Sequence, residues 1–120
     1  MPIPDNRTFN TSDLTAYTPS CGDSPVAAYI RVPFRCQLLK VSGVLGGAIT
    51  AADGAVTVSA NEATLAAFVV TQAGSAAGQA FSAVPPSPSY LNEDDVIALT
   101  PSGASGASVP MHFSISVRAA

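Results

Sequence analysis

Residues 47–70 read GAITAADGAVTVSANEATLAAFVV, and their pattern decides what kind of chain this is. From Ala55 to Ala60 apolar and polar residues alternate: Val56, Val58 and Ala60 fall on one side, Thr57 and Ser59 on the other. That two-residue period is the mark of a strand with one buried face. Asn61-Glu62 reads as a turn into a second strand. Asp53-Gly54 supplies residues that tolerate positive φ, so the pattern also predicts a tight turn there and a hairpin across residues 47–60. In the second strand, 64–70, the alternation lapses, because Leu65, Ala67 and Val69 share one face while Ala66, Phe68 and Val70 share the other. A strand apolar on both faces needs cover on both. It either lies between two layers or turns one face to another subunit, and Leu65, Ala66, Phe68 and Val70 are the candidate subunit interface.

The same period extends outward. In AAYIRV, residues 27–32, Ala28, Ile30 and Val32 face one way and Tyr29 and Arg31 the other, and Pro33 should end the strand. CQLLKVSGVLGG, residues 36–47, places Leu39, Val41 and Leu45 together, and Gly43, Gly46 and Gly47 suggest a bulge or a close backbone approach. AFSAV at 80–84 and DVIAL at 95–99 are short strands. In VPMHFSISVRA, residues 109–119, Met111, Phe113, Ile115 and Val117 point one way and His112, Ser114, Ser116 and Arg118 the other. No stretch of eleven residues keeps a helical period. Seven or eight short strands at close spacing predict an all-β, single-domain antiparallel β-sandwich over residues 27–120, with a jelly roll as the expected topology.

Residues 1–26 differ. Pro2, Pro4, Pro19 and Pro25 stand among Asn, Thr, Ser and Asp, which rules out a regular helix or a central strand. The segment reads as an extended arm that either packs along its own domain or reaches a neighbour.

The 120 residues suit one domain. Only 11% are charged, and all five Lys and Arg are Arg7, Arg31, Arg35, Lys40 and Arg118. Four cations scattered over forty residues make a poor stripe for replacing phosphate counterions, so nucleic acid is not an expected partner. No apolar run approaches the roughly 20 residues of a membrane span. MPIPDNRTFN lacks the basic start and apolar centre of a secretory leader. The expectation is a chain made in the cytosol, with no membrane partner and with Cys21 and Cys36 as free thiols rather than a bridge. Two Cys and one His fall short of the four ligands zinc prefers.

Chemistry is sparse. His112 is the single imidazole, so a relay with Ser114 or Ser116 would depend on it alone, and the expectation is a wet strand face. Cys21, in TPSCGDSP, has no neighbour in sequence that would activate its thiol. Glu93, Asp94 and Asp95 could gather with Asp53 or Glu62, but the alternate-position spacing of a calcium loop is absent and a solvated acidic turn is expected. No glycine-rich segment follows a strand and opens a helix, so phosphate loops are absent in context. No catalytic residue, metal or cofactor is expected, and the chain does not read as an enzyme.

VAAYIRVPFRCQLLKVSGVLGGAITAADGAVTVSANE, followed by GSAAG and YLNEDDVIAL, resembles small β-sandwich proteins of tailed bacteriophages, in particular head decoration or cement proteins. The resemblance spans roughly residues 26–118. The turn before the penultimate strand reads Asp94-Asp95 here, where such sequences often have Gly-Asp. The resemblance implies a structural protein that binds the exterior of an assembled capsid and stabilises it, commonly as a homotrimer. Its partners would be the major capsid protein and copies of itself, and its place the outside of the virion. Ile3, Arg7, Phe9, Leu14 and Tyr17 then become candidate capsid contacts along the arm. Competing readings are a head-fibre or tail-associated adhesion module and a pilus-like cellular subunit; no catalytic residues carry over.

Overall fold

The computed structural model describes residues 11–21, 25–49, 52–102 and 108–120. These contain nine strands and no helix: β1 Thr11–Thr18, β2 Ala28–Arg31, β3 Cys36–Leu45, β4 Gly54–Ala60, β5 Ala63–Val70, β6 Ala80–Ala83, β7 Ser89–Leu91, β8 Val96–Ser102 and β9 Met111–Ala119. One sheet has the order β1-β9-β3-β6, with β7 on the other half of the same edge of β3; the second has the order β2-β8-β4-β5. Every pairing is antiparallel. The chain is an all-β sandwich.

The alternation decides which side of each strand faces in. Leu38, Val41 and Leu45 of β3 and Met111, Phe113, Ile115 and Val117 of β9 meet Val56 and Val58 of β4, Phe68 of β5 and Ile97 and Leu99 of β8 in one core. Each such side chain contributes about 1.5–3 kcal/mol on burial, so this single layer dominates stability. Pro101 is buried within β8, opposite Val56. β2 pairs with β8 only as far as Leu99, so the missing Pro101 N–H breaks no ladder.

Three sequence readings need correction. Asp53-Gly54 closes no hairpin: β3 and β4 belong to different sheets, and the segment between them crosses the sandwich. Asp53 instead accepts a hydrogen bond from the Gln72 N–H at 2.8 Å, and Ser75 Oγ accepts one from the Ile49 N–H at 3.0 Å, tying the crossing to the loop after β5. The turn at Asn61-Glu62 is the true hairpin, joining β4 to β5 with φ of 52° and 65°, the left-handed pair that a two-residue loop requires. The bulge in β3 falls between Leu38 and Lys40, which turns Leu38 rather than Leu39 into the core with Val41. The glycines mark close approach: a Cβ on Gly43 would lie 2.8 Å from the Met111 sulfur, and one on Gly46 would lie 2.6 Å from the Pro110 ring.

The third concerns the arm, which the sequence reads as packing along its own domain or reaching a neighbour. Residues 11–18 are β1, an edge strand paired along its whole length with β9, because Thr11, Asp13, Thr15 and Tyr17 can face water while Leu14 and Ala16 pack on the core. Behind β1, the buried Thr18 hydroxyl lies 2.5 Å from the Val26 carbonyl, and the Val26 N–H donates to Ser20 O at 3.0 Å. Of the stretch read as arm, residues 11–21 are therefore integral to the sandwich, and Ile3, Arg7 and Phe9 lie outside the described residues.

Candidate interaction surface

The two outer faces of the sandwich differ in chemistry. On the β1-β9-β3-β6 sheet, cross-strand rows run Tyr17, His112, Val44, Ala80; then Thr15, Ser114, Ser42, Ser82; then Asp13, Ser116, Lys40; then Thr11, Arg118, Gln37, Tyr90. This face carries charge, and several of its groups partner one another. Ser116 donates to Asp13 Oδ1 and Arg118 to Gln37 Oε1, both at 2.8 Å.

The outer face of the β2-β8-β4-β5 sheet is different. Its rows are Tyr29, Ala98, Ser59; then Thr100, Thr57, Ala67; then Ser102, Ala55, Val69. None of these nine residues is charged. Small side chains fill the middle, while Tyr29 and Val69, 68% and 58% exposed, stand at opposite corners. Arg31 and Val96 pair beyond Tyr29, and Arg31 reaches Asp94 in an exposed ion pair. An uncharged sheet face with protruding aromatic and aliphatic corners has the composition of an interface centre, where charge is depleted.

Here the sequence-derived interface is corrected. Ala66, Phe68 and Val70 point into the chain's own core and Leu65 is partly buried. Among the exposed residues of β5, Thr64, Ala67 and Val69 lie opposite Ser59, Thr57 and Ala55 of β4 and extend the neutral face to the sheet's edge. Of the arm residues, Leu14 packs against the core, and Tyr17 is half exposed beside His112.

At one end of the neutral face the β4–β5 turn and the turn before β8 come together. Asp95 Oδ2 accepts from the Asn92 N–H at 2.8 Å and from the Asn61 side-chain amide at 3.2 Å. The positive φ values of non-glycine residues, at Asn61, Glu62 and Asp94, all fall here among the described residues. Glu62, Asp94, Asp95, Tyr29 and Val96 line a notch of about 500 Å³. Asp53 is elsewhere, on the Gln72 amide. Among the described residues no three His, Cys, Asp or Glu side chains are grouped to hold a metal.

The remaining chemical candidates are dispersed. Asp13 lies opposite Ser116, and His112 is four residues further along β9, roughly 13 Å away at strand spacing, so the three do not form a relay. Both thiols are free and buried, and burial pushes each above the ordinary thiol value, with the Asp95 charge adding to the rise at Cys36. The Cys21 N–H donates to Val109 O, just before β9, while Cys36 pairs with Ala119 at its end. The length of β9, roughly 30 Å, separates them, beyond the roughly 7 Å reach of a disulfide.

No model of a known protein family matches the chain, and no curated protein matches it.

Proposed function

We propose that this chain is a structural protein that docks through the neutral outer face of its β2-β8-β4-β5 sheet onto a repeating protein shell, as a capsid decoration protein of a tailed bacteriophage would. The observation that carries the docking reading is that nine-residue face, free of charge, with Tyr29 and Val69 exposed at its corners. The shell as partner rests on the sequence resemblance. The strand order, β1-β9-β3-β6 opposite β2-β8-β4-β5, is compatible with the expected jelly roll, with β6 and β7 sharing one strand's place, and so supports this reading. The face spans roughly 300–400 Å² by strand spacing, less than the about 800 Å² per partner of a stable standard interface. One contact alone would be weak. A homotrimer seated on a lattice would make the second and third contacts intramolecular and hold tightly, and binding only the mature lattice would stabilise it by mass action.

The test is to strip purified phage heads, add the protein back and image where density returns. Restored density with the neutral face turned toward the shell is the expected result, and Thr57→Glu or Ala67→Glu should abolish it while the sandwich stays folded. Failure to bind heads at any concentration would remove the proposal. Sedimentation of the free protein reads its oligomeric state, with a trimer expected.

A further inference from the structure

The sandwich has four open sheet edges among the described residues, and one of them lacks the usual protection. Sheet edges are kept from pairing with other chains by shortness, charge or proline. β6 and β7, four and three residues long, share one edge, with Pro85 and Pro88 between them. β2 has four residues, ends on Arg31 and is followed by Pro33. β1 and β5 are eight residues each. β1 carries the exposed Asp13, but β5, ATLAAFVV, has neither charge nor proline. Its one irregularity is the extra residue Leu65, which leaves residues 66–70 matched one for one with β4 and open on the other side. We propose that this edge takes the open edge of β1 from a second copy of the chain as its next strand, so that copies join head to tail.

What singles out β1 of a second copy is where the open edges lie. The two long edges belong to different sheets and stand on opposite sides of the molecule, β1 beside β2 and β5 beside β6. One head-to-tail contact therefore uses both, whereas a twofold contact of β5 with β5 would leave β1 open. The two strands match in length. Pairing β1 with itself would bring Asp13 of one copy toward Asp13 of the other, and like charges across strands are unfavourable; beside uncharged β5 it meets no charge. The core is also incompletely sealed at both edges: Leu14 and Ala16 of β1 and Leu65 of β5 pack on it but stay partly exposed. A strand laid alongside covers them and adds about one main-chain hydrogen bond per residue. A head-to-tail contact closes into a ring when its rotation allows, and closure makes the last contact intramolecular. The joint deepens the docking reading, from which it takes the ring of three.

The test blocks one edge at a time in the full chain. Val69 and Thr15 are both exposed, so Val69→Lys on β5 and Thr15→Lys on β1 should leave the sandwich folded, as circular dichroism and thermal melts check. Sedimentation velocity over a concentration series should show a trimer for the parent and a monomer for each variant alone. An equimolar mixture of the two variants should form a one-to-one dimer, because it holds one intact β5 edge and one intact β1 edge. Amide exchange in that dimer should slow along β5 of one variant and β1 of the other. The inference is overturned by a parent that stays monomeric, by a Val69→Lys protein that keeps the trimer, or by a mixture of folded variants that does not associate. A Thr15→Lys protein that dimerises on its own would mean a twofold β5 joint and overturn it equally. Thr57→Glu, in the middle of the neutral face, should keep the trimer while losing the shell. Heads that bind a monomeric protein would leave the docking reading standing and this inference refuted; a trimer joined through these edges that binds no heads would do the reverse.

Discussion

Tyr17 of β1 lies against His112 of β9, their ring centroids 4.8 Å apart and the rings tilted by 52°, at a cross-strand pair near the end of the sheet's outer ladder. The contact shows that β1 is bound into the sandwich by its exposed side as well as by Leu14 and Ala16 beneath. Removal of residues 1–25 therefore strips an eight-residue strand from β9, uncovering its edge and part of the core, and should cost about 3 kcal/mol or more. Thermal melts with gel filtration read this, and an intact, monodisperse fold after the deletion would contradict the placement of β1.

The separation of Cys21 and Cys36 by the length of β9 sets a second expectation. Reductant should leave the melting temperature unchanged, and a thiol reagent should label both residues only slowly until the protein is unfolded. Burial raises both thiols, so the native state keeps those protons to higher pH than the unfolded chain does. Their contribution to stability is full below the ordinary thiol value of about 8.5 and declines as pH climbs from there toward the folded values. Melts across that range should show a downward slope that flattens in Cys21→Ala/Cys36→Ala.

Gly43 and Gly46 separate two kinds of crowding. A methyl group on Gly43 meets the fully buried but flexible Met111 side chain at 2.8 Å and Phe68 at 3.3 Å, whereas on Gly46 it meets the rigid Pro110 ring at 2.6 Å and its carbonyl at 3.2 Å. Overpacking costs about 1–3 kcal/mol. Gly43→Ala should fall at the lower end and Gly46→Ala at the upper, as read from denaturant midpoints. The reverse order would mean that Met111 is the less yielding neighbour.

How far the sequence could be read follows from what alternation encodes. It tells which face of a strand is buried, and so Val56 and Val58 of β4, Ile30 of β2 and the inward row of β9 were legible. It does not tell which strand lies alongside. That is why Asp53-Gly54 reads as a hairpin although β3 and β4 sit in opposite sheets, and why the single-residue bulge beside Leu39 reverses which leucine points inward. β5 was misread for a related reason: apolar on both faces, it offers no periodic cue to distinguish Phe68, which fills the core, from Val69, which stands out of it. The neutral face itself is a property of four strands in register, with Tyr29 and Val69 forty residues apart in sequence. The absence of any Lys or Arg from 41 to 117 was its one linear trace.

Glu62 tests the strain held in the β4–β5 turn. Asn tolerates the left-handed region, but Glu at φ 65° does so at a cost of about 1 kcal/mol. Glu62→Gly turns the loop into Asn-Gly, the preferred two-residue hairpin sequence, and should raise stability by about 0.5–1 kcal/mol after the extra entropy of glycine in the unfolded chain is deducted. A protein that melts higher is the expected result. If Glu62→Gly melts lower than the parent, the turn is not strained in the way its backbone angles require.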